Sequence, residues 1–185
     1  EAMRLGMETK KPQADAGPMV TNGEWLSTLL ANLKKPDSIR SAVLPRSFCA
    51  QLRPYQKSGY TWLAYMDKLG FGACLADDMG LGKTVQVLAY LEKLRSAKKN
   101  ARALLIVPAS LLGNWRKETE RFAPELTYQI LHGKKAAALE EQLAESQVFL
   151  TVTTYGLAMR LKPLQERQWD CVILDEAQAI KNPLT

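Results

Sequence analysis

From Leu52 onward, short apolar runs alternate with longer segments of helical period. That alternation is the pattern of repeated strand-helix units around a parallel sheet. Apolar runs predict strands over residues 72–76, 103–107, 127–131, 148–152 and 171–174. Helices are predicted over 54–69, 82–98, 110–122, 134–145 and 155–161, with Pro54 at a first helical position and Pro163 ending the last. Right-handed crossovers would stack these helices on both faces of the sheet. The expected class is therefore α/β, a mostly parallel sheet flanked by helices.

Before Leu52 the pattern differs. Residues 1–23 are polar, carry Pro12 and Pro18 and keep no period, which reads as a tail or linker. Thr21 and Glu24 form a capping-box pair. Trp25, Leu26, Leu29, Leu30 and Leu33 then recur on one face of a short amphipathic helix. Residues 35–50, with Pro36 and Pro45, read as a connection. The expected organisation is a tail, helix and linker over 1–50 and one main domain over 51–185. No internal repeat is seen, which excludes a solenoid.

Composition narrows the classes. The chain has 185 residues, 46% hydrophobic and 24% charged, as in ordinary globular proteins. The most apolar run, 103–113, is broken by Pro108 and falls short of the ~20 residues of a membrane-spanning helix. Neither a membrane span nor a secretory signal is expected. Cys49, Cys74 and Cys171 lack metal-ligand spacing, so no zinc site or disulfide framework is expected. Cys74 and Cys171, in strand-like runs, read as small buried hydrophobes in a reducing compartment. Lys and Arg number 25 against 19 Asp and Glu, a net charge of +6 that suits a polyanionic partner without deciding function.

Chemistry begins after the first strand, at Asp77-Asp78-Met79-Gly80-Leu81-Gly82-Lys83-Thr84. Glycines there let the backbone turn tightly and aim N–H groups into a concavity at a helix start, which suits phosphate. Lys83 can reach β- and γ-phosphates, and the Thr84 hydroxyl can ligate Mg²⁺ on the same oxygens. The general phosphate-loop pattern has Gly where Asp77 stands. Ninety-two positions after Lys83, the apolar run at 172–174 delivers Asp175-Glu176-Ala177-Gln178. In phosphate-loop enzymes an acid in this place holds the metal. Asp175 is then the Mg²⁺ partner, Glu176 the group that orients and deprotonates water, and Gln178 a sensor of the terminal phosphate. Upstream, the Gln56 amide beside Tyr55 offers a donor and an acceptor that match the N6/N7 edge of adenine, which points to ATP.

These residues together resemble the Swi/Snf-related ATPases of helicase superfamily two, in particular bacterial and archaeal members. Leu52-Arg53-Pro54-Tyr55-Gln56 with Gly59, Trp62 and Leu63 is similar to that family's adenine motif. Leu75-Ala76-Asp77 through Thr84 is similar to its phosphate motif, in which Asp is usual at the position of Asp77. Ile106 to Trp115, Thr153-Thr154-Tyr155-Gly156 and Asp175 to Pro183 follow as its next motifs, in order, so the resemblance covers residues 52–185. It implies the first RecA-like P-loop NTPase lobe of a motor that hydrolyses ATP to move along duplex DNA, usually without separating strands. It also implies displacement or remodelling of DNA-bound proteins. Arg53, Tyr55, Gln56, Asp78, Met79, Gly80, Leu81, Gly82, Lys83 and Thr84 would bind the nucleotide. Such a parent would sit with the nucleoid in a prokaryotic cytoplasm or in a eukaryotic nucleus.

Ser110 and Thr153 or Thr154 lie between strand ends and helix starts, where N–H groups and hydroxyls can meet phosphate oxygens. With Tyr155, Lys117, Arg160 and Lys162 they are candidates to track a DNA backbone without reading bases. The Ser and Thr residues would cap helices even in a protein that never met DNA, and surface Lys and Arg are usually solvated. Trp115 reads as core and His132 as an ordinary surface or partly buried residue. The family's second RecA-like lobe, which supplies arginines across the nucleotide, is absent from these 185 residues. Such arginines accelerate phosphoryl transfer by about 10³ to 10⁵, so this chain alone is expected to bind Mg·ATP but to turn it over poorly. Rival readings are a strand-separating DNA or RNA helicase, an ATP-switched binding module and, last, a small-molecule kinase.

Overall fold

The computed structural model describes residues 39–180, together with Ser27 and Ala31. The chain divides into two units, 1–38 and 39–185, and the architecture below is that of the second. The capping-box pair Thr21 and Glu24 and the apolar stripe from Trp25 to Leu33 lie outside the described residues.

In chain order the elements are α1 (Pro54–Lys68), α2 (Lys83–Ala97), β1 (Ala103–Val107) and a 3-10 turn (Ala109–Leu111). There follow α3 (Leu112–Phe122), β2 (Tyr128–Leu131), α4 (Ala136–Glu145), β3 (Leu150–Thr154), α5 (Tyr155–Arg160), α6 (Lys162–Glu166), β4 (Cys171–Leu174) and a second 3-10 turn (Ala177–Ala179). No described helix is long and apolar enough to cross a membrane.

The four strands form one sheet in the order β2-β3-β1-β4, every pair parallel. β1 is buried at all five positions because both faces of the sheet are covered. Its Ala103, Leu105 and Val107 enter one core with Tyr60 of α1, Leu88 and Leu91 of α2 and Trp115 of α3. Leu104 and Ile106 point the other way, to Leu139 and Leu143 of α4 and Leu161 and Leu164 around α6. Period-2 alternation along one strand thus builds two cores.

The expected strand at 72–76 does not form. That stretch joins no ladder, and Cys74 is exposed rather than buried. β4 pairs only with β1, and its Val172 and Leu174 remain 53% and 43% exposed. An apolar run becomes a strand only through the hydrogen bonds of a neighbour. Among the described residues neither 72–76 nor the outer edge of β4 has one.

Two smaller differences concern boundaries. β3 runs two residues further than expected, to Thr154, and takes Thr153 into the sheet opposite Leu131 and Ile106. Pro163 does not end the helical region. Leu161 breaks it with extended backbone, and Pro163 opens α6, since a missing N–H costs nothing in a first turn.

Residues 39–50, read from the sequence as a connection, belong to the unit that carries the sheet. The Tyr60 hydroxyl donates to the Val43 carbonyl (2.7 Å), and the Cys49 amide donates to the Phe122 carbonyl (2.8 Å). Ser47 Oγ donates to Glu92 Oε2 at 2.6 Å. Glu92 is fully buried, and Arg95 adds a guanidinium bond to the same oxygen at 3.0 Å.

At the amino end of the sheet Asp170 takes a hydrogen bond from the Arg102 amide (2.7 Å) and pairs with Lys98. The Lys98 hydrogen bond first, then the Arg102 N–H, hold its carboxyl below the usual carboxylate range. Asp170→Asn is expected to lower the unfolding free energy by about 1 kcal/mol at neutral pH, most of it from the amide bond because Lys98 is exposed. A depressed native pKa stabilises above the ordinary carboxylate range and is lost as pH falls through the native value. Denaturant curves of the two proteins should therefore separate at neutral pH and converge in strong acid.

Candidate functional site

Gly80 and Gly82 adopt left-handed backbone, at φ 81° and 78°, conformations that a Cβ would strain. Gly82 is the N-cap of α2. A Cβ there would also stand 2.5 Å from Gln56 Nε2. The loop therefore needs glycine at Gly82 for both its torsion and its packing. It opens α2 with Lys83 and Thr84 in the first turn, where helical N–H groups have no carbonyl partner of their own.

Contacts brace this loop from both sides. Gln56 Nε2 donates to the Leu81 carbonyl at 2.9 Å, while Gln56 Oε1 accepts the Arg53 amide at 2.9 Å. Both ends of the amide expected to meet adenine are thus engaged within the protein, the second as the returning half of a capping box. Arg53 and Tyr55 are exposed beside it. Lys83 Nζ bridges the carbonyls of Asp77 (2.6 Å) and Asp78 (3.2 Å).

Gln86, which sequence reasoning passed over, donates from Nε2 to Asp77 Oδ2 at 2.9 Å. This gives the acid at a position where glycine is usual a structural role: it ties the loop entrance to the first turn of α2. Gln86 is fully buried, and its Oε1 lies against Gly59 of α1, where an added Cβ would come within 1.9 Å. Spacing carried a signal, since Gln86 stands one helical turn from Lys83 and a buried amide needs partners. Gly59→Ala is expected to cost about 2 kcal/mol in denaturant unfolding despite alanine's better helix propensity, because overpacking displaces a buried hydrogen-bonded amide.

The acids lie at the carboxyl edge of the sheet. The Asp175 amide donates to the Ile106 carbonyl at 2.9 Å, which continues the ladder past Leu174. Trp115 Nε1 donates to Asp175 Oδ2 (2.7 Å), the Glu176 amide donates to Oδ1 (3.0 Å), and the Tyr155 hydroxyl donates to the Asp175 carbonyl (2.7 Å). Glu176 is held at φ 51° and ψ 48°, a left-handed setting uncommon outside glycine and typical of functional turns. Its carboxylate accepts the Gln178 amide. Burial first, then the charges of Asp175 and Glu176, push the Tyr155 hydroxyl above its ordinary pKa.

Loop and acids share one edge because α2 runs antiparallel to β4. Lys98, just after α2, pairs with Asp170, just before β4. Midway along the helix, Tyr90 lies in the core against which Cys171, at the start of the strand, packs. Seven helical residues carry the chain about 10 Å back from Tyr90 to Lys83. Four extended residues carry it about 13 Å forward from Cys171 to Asp175. By this reckoning Lys83, Thr84, Asp175 and Glu176 lie toward the same carboxyl edge of the sheet as the end of β1.

The remaining candidates divide. Ser110 and Lys117 are exposed, Ser110 in the turn just beyond β1, and Arg160 and Lys162 are exposed around α5 and α6. Thr153 is fully buried in β3, and its hydroxyl donates to the Leu131 carbonyl (3.2 Å) rather than facing solvent. Thr154 is buried as well, at the N-cap of α5. Tyr155 turns its hydroxyl toward Asp175 rather than to solvent. Trp115 is core, as expected, but its N–H reaches the acid. His132 is exposed.

Residues 55–185 match the SNF2-related domain family, so the chain belongs to that family. It is 38% identical over 175 residues to the putative ATP-dependent helicase/translocase YwqA of Bacillus subtilis, covering 93% of this chain and 19% of that relative. It is also 38% identical over 137 residues to the ISWI chromatin-remodeling complex ATPase ISW1 of Saccharomyces cerevisiae, covering 71% and 12%. Among solved structures it is similar to the Sulfolobus solfataricus SWI2/SNF2 ATPase core in complex with dsDNA. That match has a TM-score of 0.70 and 40% identity, covering 77% of this chain and 30% of that one. The chain thus spans about a fifth or less of the two curated relatives and under a third of the solved core. The α/β architecture is that of a RecA-like lobe.

Proposed function

We propose that this chain is the ATP-binding lobe of a DNA-dependent ATPase that translocates on duplex DNA and displaces or remodels DNA-bound proteins. One observation carries the reading: a left-handed glycine loop opens α2 with Lys83 and Thr84 in its first turn, and two acids follow β4 at the carboxyl edge of the sheet. Lys83 would exchange its loop carbonyls for β- and γ-phosphate oxygens, for which an ammonium is the better partner. Thr84 and Asp175 offer the hard oxygen donors that Mg²⁺ prefers. The Asp175 carboxylate fits this use, because each of its oxygens takes one N–H and keeps a lone pair for a cation. Bound there, the ion would neutralise charge on the phosphates. Glu176, in its left-handed turn, would orient and deprotonate water, with Gln178 setting its carboxylate. Adenine would lie by Arg53, Tyr55 and Gln56, the Gln56 amide giving up one internal bond to read it.

Duplex DNA would pass the same edge, near Ser110 and Lys117, through backbone contacts that ignore sequence. The likeness to an ATPase core solved with dsDNA supports this choice over RNA. A second lobe facing the edge would complete the motor.

The test is the ATPase rate of the intact parent with no nucleic acid, duplex DNA, single strands and RNA, beside Lys83→Ala. Duplex-selective stimulation that Lys83→Ala abolishes is expected. Stimulation by single strands alone, with strand displacement, would favour a strand-separating helicase instead.

A further inference from the structure

Every polar atom of Asp175 has a partner, and two of the four come from aromatic side chains on different helices. Its amide donates to β1 and its Oδ1 accepts the following amide. Its carbonyl accepts the Tyr155 hydroxyl of α5 and its Oδ2 the indole of Trp115 in α3, each at 2.7 Å. An indole N–H can only donate, and when buried it must find an acceptor. Trp169 in the same lobe shows the ordinary solution, a backbone carbonyl (Leu164, 2.8 Å). Trp115, at 4% exposure, instead donates its one hydrogen bond to a half-buried carboxylate.

A carboxylate pinned by one N–H on each oxygen keeps a single orientation and still has unused lone pairs. The Trp115 side is set by core packing, since the ring belongs to the larger core, the one that holds Leu88, Leu105 and Leu112. The ring cannot swing without opening that core, so its N–H is a fixed point. Glu118, one turn along α3, lies in the same field: burial raises its carboxyl pKa, opposed by Arg121 and reinforced by the Asp175 charge.

We infer that Trp115 is a positioning residue for Asp175, its indole N–H fixing which carboxylate lone pairs face a divalent cation, with Tyr155 fixing the same residue's carbonyl. This rests on the reading of Asp175 as the cation-holding acid. Partners of this kind that orient a metal ligand are worth about 10- to 100-fold in metal affinity or activity. Trp115→Phe keeps a large aromatic ring and removes the donor.

Two measurements decide it. In the 185-residue chain with ¹⁵N-labelled tryptophan, the Trp115 indole resonance is expected to move on Asp175→Asn while that of Trp169 stays. A Trp115 resonance indifferent to Asp175→Asn overturns the inference, whether or not the protein hydrolyses ATP. In the intact parent, Trp115→Phe is expected to raise the Mg²⁺ concentration for half-maximal ATPase about 10- to 100-fold, with KM for ATP little changed and the rate restored by excess Mg²⁺. An unchanged Mg²⁺ midpoint, or a slow rate that Mg²⁺ does not rescue, contradicts it. A wild-type parent without ATPase would instead remove the functional reading above, and the indole measurement would still decide the Trp115–Asp175 link.

Discussion

Glu176→Gln in the intact parent is expected to slow ATP turnover about 10²- to 10⁴-fold, the usual loss when a general base is removed, while ATP binding stays close to wild type. The expectation comes from where the structure spends its constraints. Asp175 has all its polar atoms engaged, whereas Glu176 is placed by a left-handed turn and met at its carboxylate by Gln178. A glutamine keeps the shape and the Gln178 contact but cannot accept a proton from water. Steady-state hydrolysis beside equilibrium nucleotide binding separates the two effects. A proportional loss of both would mean that Glu176 holds the site together rather than acting on water.

The largest stability effect is expected inside β1. Leu105 is fully buried in the centre of the sheet, flanked by β3 and β4 and packed with the α1 and α2 side of the core. Leu105→Ala should cost about 3 to 5 kcal/mol, the transfer loss plus a cavity that paired strands cannot collapse to fill. That is a large part of the whole stability of a typical domain. Val172→Ala, on the half-exposed β4, should cost no more than about 0.5 kcal/mol. Denaturant midpoints of this chain check both, and equal losses would contradict the assignment of β1 as the doubly covered strand.

The sheet and the loop were legible in the sequence because each is written in local periodicity. Strands 103–107 and 171–174 formed at the expected positions, and the glycines before Lys83 stand where the backbone turns left-handed. What escaped the sequence depends on partners far along the chain. Residues 72–76 have the apolar content of a strand but no ladder, so Cys74 faces solvent. Thr153 carries a hydroxyl that suits a phosphate contact, yet the sheet extends through it and the Leu131 carbonyl accepts its hydrogen bond. Trp115 shows only its ring in an apolar pattern, and nothing in the spacing tells that its N–H meets an acid 60 positions away. The Gln56 amide was readable as a recognition group, but not as a brace already holding the loop.

The functional expectations rest on the proposed nucleotide pocket. Calorimetric titration of the folded 185-residue chain with ATP, with and without Mg²⁺ and beside Lys83→Ala, tests it most directly. Magnesium-dependent ATP uptake that the substitution removes is the expected result. Absence of uptake by well-folded wild-type protein, or uptake that Lys83→Ala leaves intact, would contradict it.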